Sequence, residues 1–178
     1  MRELAVVLGR FIGILIVVIA VALIAHYCGY EPGVHFKVAD RIAAIDGDTL
    51  RSGDIEVRLY GIDAPELDQM CSGADGKPWA CGREAQSRLK ALIGRNAVDC
   101  EPRARDKFNR IVAVCRTSKM PDLGEAMVRE GLAVNFGGRA EGPYADAEIE
   151  AQAAKRGIWR GSFERPSGWR EQHPRDGD

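Results

Sequence analysis

Residues 45–66, IDGDTLRSGDIEVRLYGIDAPE, carry the densest structural signal in the chain. Within them, Ile55–Tyr60 alternates apolar with polar side chains, which is typical of a strand that buries one face. Gly53 and Asp54 precede this run and favour a turn. The segment therefore predicts two short strands joined by a turn, with Arg58 on the polar face of the second.

Further helices and strands follow this segment. Gly82–Arg95 carries apolar residues on one helical stripe and ends near Gly94, so it predicts a helix. Residues 97–101 and 110–116 alternate and are joined by a polar turn, which predicts a hairpin. Two more helices are expected over 123–132 and 144–156, the second ending before Gly157. The pattern favours an α+β domain on a closed or nearly closed sheet.

The N-terminus is far more apolar than the rest. Residues 4–25 form an apolar run interrupted only by Arg10, long enough for a spanning helix. Arg2 and Arg10 would keep the N-terminus in the cytoplasm. We expect an uncleaved anchor, and the alternative is a cleaved signal peptide followed by secretion. The domain organisation expected is an anchor and the start of a linker over 1–30, a folded domain over 31–170 and a disordered tail over 171–178.

Composition excludes a disordered chain and a strongly basic one. The 178 residues are 46% hydrophobic and 29% charged, which is too apolar for a disordered chain. Lys plus Arg number 25 and Asp plus Glu 26, so the formal net charge is -1. Binding to nucleic acid would therefore need a local site, because the chain as a whole does not attract phosphate.

The cysteines agree with export. Cys28 belongs to the membrane segment over 1–30, and four others follow it, which in an exported protein favours disulfides over free thiols. A zinc site is the competing interpretation, but the chain has no CxxC pair. Cys71 and Cys81 bracket a loop rich in glycine, and Cys100 and Cys115 lie on the two arms of the predicted hairpin. We predict the bridges Cys71–Cys81 and Cys100–Cys115.

Four of the acidic residues within 45–66 form a cluster. Asp46 and Asp48 are two positions apart on an extended stretch, and Asp63 and Glu66 flank a turn that contains Pro65. Crowded carboxylates repel, and oxygen-rich clusters of this kind select hard cations such as calcium. The alternative is structural, because Asp-Gly-Asp is a common turn and Asp-x-Pro-Glu resembles the start of a helix.

Taken together, the motifs resemble the staphylococcal nuclease (thermonuclease) family over roughly residues 36–170. They are DGDT at 46–49, RLYGIDAPE at 58–66, DKFNR at 106–110, EGLA at 130–133 and AKRGIW at 154–159. The resemblance implies an OB-fold-like five-stranded barrel with about three helices. It also implies a calcium-dependent phosphodiesterase that acts on DNA and RNA.

The resemblance also assigns roles to individual residues. Asp48 and Asp63 would hold Ca²⁺ through their carboxylates and Ala64 through its backbone carbonyl, with Asp46 as a ligand or beside one. Glu66 would be the general base for the attacking water. Arg58 and Arg110 would bind the phosphate, since a guanidinium grips two oxygens in a plane.

The sequence departs from the family pattern around the nucleotide. Phe108 stands where a tyrosine is expected, and Val134-Asn135-Phe136 lacks paired tyrosines. A loop at 67–78 also follows Glu66 directly. The expected partners are single-stranded DNA and RNA and, through the N-terminal helix, a membrane, with the chain a monomer. A non-catalytic nucleic-acid or protein binding module on the same fold is the alternative.

Overall fold

The computed structural model of the protein describes residues 14–20, 23, 36–38, 42–136 and 142–174. The chain divides into two units, Met1–Val34 and His35–Asp178. In the first, residues 14–20 are helical and expose apolar side chains. Most of the predicted anchor lies outside the described residues. No helix that the structure does describe is long and apolar enough to cross a membrane.

The second unit is an α+β fold. Its strands are β1 (Phe36–Val38), β2 (Ala43–Ala44), β3 (Thr49–Ser52), β4 (Ile55–Leu59), β5 (Ile62–Asp63), β6 (Cys71–Ser72), β7 (Pro78–Trp79), β8 (Val98–Arg105), β9 (Ile111–Arg116) and β10 (Val134–Asn135). Its helices are α1 (Cys81–Ile93), α2 (Leu123–Arg129), α3 (Ala145–Ala153), a 3-10 turn (Gly157–Arg160) and α4 (Pro166–Gln172).

The main sheet of the described residues has six strands in the order β1-β8-β9-β4-β3-β2. Only β4 and β9 pair in parallel; the other neighbours are antiparallel. The family resemblance implied five strands, and the main sheet has six, counting the two-residue edge strand β2. Two smaller pairings, β10 with β5 and β6 with β7, lie outside this sheet.

The core lies between the sheet and the helices. Val57 and Leu59 of β4 are buried as the alternation predicted, whereas Ile55 at the hairpin end is exposed. Helix α1 buries the predicted stripe of Ala85, Leu89, Leu92 and Ile93 against this core. The hydrophobic stripe therefore fixes the helix against β2 and α2, with Ala85 next to Gly47 between Asp46 and Asp48.

Two predicted helices are shorter than expected. Helix α2 ends at Arg129 rather than at 132, and α3 ends at Ala153 rather than at 156. Beyond α3, Lys155 and Gly157 both adopt positive φ angles, 52° and 51°, which no α-helix allows. The segment after 160, which shows no periodicity, contains helix α4.

Both predicted disulfides are present, Cys71–Cys81 and Cys100–Cys115. Cys100 and Cys115 face each other directly across β8 and β9. Cys71–Cys81 joins β6 to the first turn of α1. Because these four cysteines are bonded in pairs, they leave no thiolate for zinc, and such pairs are typical of proteins in oxidising compartments.

Candidate nuclease active site

Strand pairing brings the two motif halves together. Thr49 of β3 lies opposite Arg58 of β4, so the Asp48 side chain comes next to the arginine. Strand β5 then carries Asp63 back to the same point, held in place by pairing with Val134 of β10. Asp48 and Asp63, ten and five positions from Arg58 in the chain, thus meet Arg58 at one end of the sheet.

Arg58 bridges the two aspartates that the resemblance assigns to the metal. Its Nη1 donates to Asp48 Oδ1 and its Nη2 to Asp63 Oδ1, both at 2.8 Å. Burial lowers the pKa of Arg58, but Asp48 and Asp63 outweigh it, so the net pKa lies above the ordinary value. The guanidinium is therefore firmly charged and neutralises part of the acidic cluster.

Asp48 is buried, and both of its carboxylate oxygens accept hydrogen bonds. Besides Arg58, its Oδ1 accepts from the Thr49 hydroxyl at 3.0 Å and its Oδ2 from the Ala64 backbone N–H at 2.9 Å. Burial raises the pKa of Asp48 to about 7, with Asp46 and Asp63 adding repulsion that Arg58 only partly offsets. A second cation at this carboxylate would remove that penalty.

Asp46 shows the turn that the structural interpretation of Asp-Gly-Asp predicted. Its Oδ1 accepts from the Asp48 backbone N–H at 2.9 Å. The side chain also lines the cleft described below. The turn and a place beside a metal are compatible, because one carboxylate oxygen is used locally and the other is not required by this turn.

Glu66 is positioned by helix α1. The Glu66 N–H donates to Gln69 Oε1 at 3.1 Å, and the Glu66 carbonyl accepts from the Gln69 N–H at 2.8 Å. Gly82 of α1 packs directly on its carbonyl, where a Cβ would lie 1.7 Å from the oxygen. The carboxylate itself is nearly buried and accepts from Arg170 Nη1 at 2.9 Å.

Arg110 is set by the turn between β8 and β9. Asp106 Oδ1 accepts from the Arg110 N–H and Oδ2 from Arg110 Nε, at 2.9 and 2.6 Å. Burial opposes the ionisation of Asp106, but these hydrogen bonds prevail and lower its pKa below the ordinary value. The fixed carboxylate holds Nε and leaves the outer end of the guanidinium directed away from it.

An open cleft of about 1110 Å³ brings the predicted catalytic residues together. Arg58, Glu66 and Arg110 all line it, although they come from β4, the β5–β6 connection and the start of β9. Three exposed aromatic residues, Tyr60, Phe108 and Phe136, also line the cleft. Two guanidinium groups and one carboxylate facing a common space can bind an anion and accept a proton beside it.

The chemistry of the donor set fits calcium, the metal that the resemblance implies. Asp48 and Asp63 each direct one carboxylate oxygen at the Arg58 guanidinium, and hard cations select carboxylate oxygens of this kind. All four oxygens of the two carboxylates accept hydrogen bonds from the protein. Within residues 42–136 and 142–174, no three acidic, histidine or cysteine side chains form a ready coordination shell.

Arg170 is a site residue that the sequence analysis missed. Its Nη1 donates to both Asp63 Oδ1 and Glu66 Oε1 at 2.9 Å, and its Nη2 to Asp63 Oδ2 at 3.2 Å. Burial lowers the pKa of Arg170, but the hydrogen bond and the charge of Asp63 outweigh burial, so the net pKa lies above the ordinary value. The one available signal was Pro166, which is favoured at the first position of a helix.

The chain is similar to several known proteins. Residues 56–161 match the family described as staphylococcal nuclease homologue. The succinoglycan biosynthesis protein ExoI of Rhizobium meliloti (strain 1021) is 31% identical over 80% of this chain and 73% of its own length. Probable endonucleases LCL3 of Verticillium alfalfae and Pyricularia oryzae are 38% and 33% identical over 62% and 70% of this chain.

The chain spans only 40% and 51% of those two endonucleases, so they extend well beyond the matched region. Helix α4, with Arg170, lies outside the matched residues 56–161. The match nevertheless includes Arg58, Asp63, Glu66 and Arg110, and it covers more than half of the chain. The protein therefore belongs to the staphylococcal nuclease family.

Proposed function

We propose that this protein is a calcium-dependent nuclease that hydrolyses phosphodiester bonds in single-stranded DNA and RNA. The observation that carries the proposal is the convergence of Arg58, Glu66 and Arg110 on one cleft beside the Asp48–Asp63 pair. Family membership and the probable endonucleases among its relatives support nuclease chemistry.

Each residue has a defined part in this reaction. Glu66 accepts the proton of the attacking water as its oxygen forms a bond to phosphorus. The bond from phosphorus to the leaving sugar oxygen breaks, and that oxygen takes up a proton from solvent. Arg58 and Arg110 stabilise the charge that develops on the phosphate oxygens. Calcium, held by Asp48, Asp63 and the Ala64 carbonyl with Asp46 beside it, would supply further positive charge to the phosphate.

The cleft also supports a single-stranded substrate. Phe108 and Phe136 are 58% and 62% exposed and line the cleft, although neither is the tyrosine of the family pattern. Exposed aromatic side chains stack on unpaired bases without regard to sequence. The protein would thus accept both DNA and RNA, since stacking does not involve the 2′-hydroxyl.

A cleavage assay tests the proposal. The full chain is incubated with labelled single-stranded DNA and RNA in calcium and, in parallel, in a calcium chelator. We expect cleavage of both substrates in calcium and none in the chelator. Cleavage that the chelator leaves undiminished contradicts the metal assignment, and binding without cleavage in calcium identifies a binding module instead.

We further propose that the domain is exported and that the apolar run over 4–25 tethers it to the membrane as a monomer. The disulfides support export. Cell fractionation and N-terminal sequencing test the tether: the intact N-terminus should be found in the membrane fraction. A soluble mature form beginning near Leu23 would contradict it.

A further inference from the structure

The carboxylates assigned to calcium are already engaged. Asp48 accepts from Arg58, Thr49 and the Ala64 N–H, and Asp63 accepts from Arg58 and, at both of its oxygens, from Arg170. A cation that coordinates these oxygens must displace at least one donor. The question is which donor can leave at the lowest cost to the fold.

Three of the donors belong to the body of the domain. The Thr49 hydroxyl and the Ala64 N–H are buried next to Asp48. Arg58 is on β4, in the middle of the sheet, with its side chain only 18% exposed. Displacing the Thr49 hydroxyl or the Ala64 N–H would disturb the buried backbone beside Asp48, and displacing Arg58 would release both aspartates at once.

Arg170 differs from the other donors in each respect. Its side chain is 37% exposed, and it lies on α4, a seven-residue helix near the C-terminal end of the described residues. It is also separated from Asp63 by 107 positions in the chain, so no local backbone geometry holds the pair together. A helix of two turns is marginal by itself and depends on contacts such as this one.

We propose that Arg170 competes with calcium for Asp63, so that helix α4 sets the calcium affinity of the site. This rests on the proposed function, because it takes Asp63 as a ligand. Without calcium, Arg170 supplies the positive charge that holds Asp63 and Glu66 together. When calcium binds, the Arg170 contact to Asp63 opens, and Glu66 loses a hydrogen bond that otherwise occupies one of its oxygens.

The proposal has a reciprocal consequence. If the Arg170 contact weakens calcium binding, calcium must weaken the docking of α4 by the same factor. The helix amides provide a direct report, because the Trp169 N–H bonds to the Arg165 carbonyl and the His173 N–H to the Trp169 carbonyl. Calcium should therefore increase hydrogen exchange in residues 165–174.

The test compares Arg170→Gln with Arg129→Gln in the full chain. Arg129 is a matched control, because it also bridges two carboxylates, Glu125 and Glu150, and is absent from the described lining of the cleft. Calcium titration by calorimetry should show tighter binding for Arg170→Gln, in the range of roughly 5–150-fold that is typical of coupled sites. Arg129→Gln should bind calcium like the unmodified chain, and Arg170→Lys should lie between.

Calcium affinity and cleavage are measured separately so that two failures remain distinct. If the unmodified chain cleaves in calcium but Arg170→Gln binds calcium no more tightly, the competition is wrong and the nuclease stands. If Arg170→Gln weakens nucleotide binding and leaves calcium affinity unchanged, Arg170 is a phosphate ligand and the proposal is also wrong. If neither protein binds calcium, the competition fails together with the metal site. Circular dichroism that matches the unmodified chain confirms that each variant is folded.

Discussion

At the scale of single residues, Arg58 has two kinds of partner. It holds Asp48 and Asp63 in the structure, and the proposed reaction also requires it to bind a phosphate oxygen. Its exposed fraction of 18% leaves one edge of the guanidinium open to the cleft. Arg110 has a simpler arrangement, because its Nε donates to Asp106, which is not one of the carboxylates assigned to calcium.

Substituting these arginines by lysine tests the bidentate contact. Arg110→Lys keeps the charge but loses the planar pair of donors, so turnover should fall by roughly 10²-fold or more, as when one transition-state donor is removed. The Michaelis constant should change little, because the contact is strongest in the transition state. Steady-state kinetics give both values. Arg116→Lys is the control, because Arg116 of β9 forms an exposed ion pair with Asp99 of β8. An equal loss of turnover in Arg116→Lys would contradict the assignment.

The buried Asp48 predicts a pH dependence of stability without calcium. Its pKa is about 7 in the folded chain against an ordinary value of 3.8. Between these values the folded state holds more protons than the unfolded state, so the free energy of unfolding should fall as pH rises. The slope contributed by one group reaches about 1.4 kcal/mol per pH unit.

Denaturant unfolding in chelator at pH 5 and pH 8 measures this slope. Asp48→Asn should flatten it, whereas Asp54→Asn, in the exposed turn between β3 and β4, should leave it unchanged. An Asp48→Asn variant with the slope of the unmodified chain would show that this carboxylate is not the titrating group.

At the scale of elements, α1 positions Glu66 through Gly82. A Cβ at Gly82 would lie 1.7 Å from the Glu66 carbonyl oxygen, so Gly82→Ala must push the helix and the Glu66 backbone apart. Overpacking of this kind costs roughly 1–3 kcal/mol. We expect lower stability and lower turnover, measured by unfolding and by cleavage rate. Ser87→Ala, on the exposed face of the same helix, should change neither; normal turnover in Gly82→Ala would contradict this role of α1.

The disulfides should contribute to the stability of the same elements. Cys100–Cys115 joins β8 to β9, and the double substitution to alanine should remove about 2–4 kcal/mol of the free energy of unfolding. A reductant should lower the melting temperature of the unmodified chain but not of a variant that lacks all four cysteines. Labelling of Cys71 or Cys115 as free thiols in the exported protein would contradict the pairing.

The elements also show what the sequence could and could not predict. The β3–β4 segment, α1 and the β8–β9 hairpin were predictable because alternation and helical stripes are local patterns. Helix α4 was not, because seven residues are too few for a stripe and its stabilising partners, Asp63 and Glu66, lie more than 100 positions away. The site residues of the motifs were assigned through the family resemblance, and Arg170 lies outside those motifs, so no motif pointed to it.

At the scale of the whole molecule, the net charge of -1 means that the proposed binding of nucleic acid would depend on local contacts in the cleft. Five cationic residues line the cleft, Arg58, Arg105, Lys107, Arg110 and Arg170, and five carboxylates line it as well, Asp46, Glu56, Glu66, Asp106 and Glu171. The proposed function therefore relies on direct contacts of Arg58 and Arg110 with phosphate rather than on an excess of positive charge in the cleft. Salt should weaken substrate binding with a slope set by these few contacts rather than by the whole surface.

The most direct test of the nuclease assignment is the turnover of Glu66→Gln beside that of the unmodified chain, in saturating calcium and with calcium binding measured for both. Glutamine keeps the shape of the side chain and removes the base. The account predicts that turnover falls by about 10²–10⁴-fold while calcium affinity is largely preserved. Unchanged turnover in Glu66→Gln, or no cleavage by the unmodified chain, would contradict it.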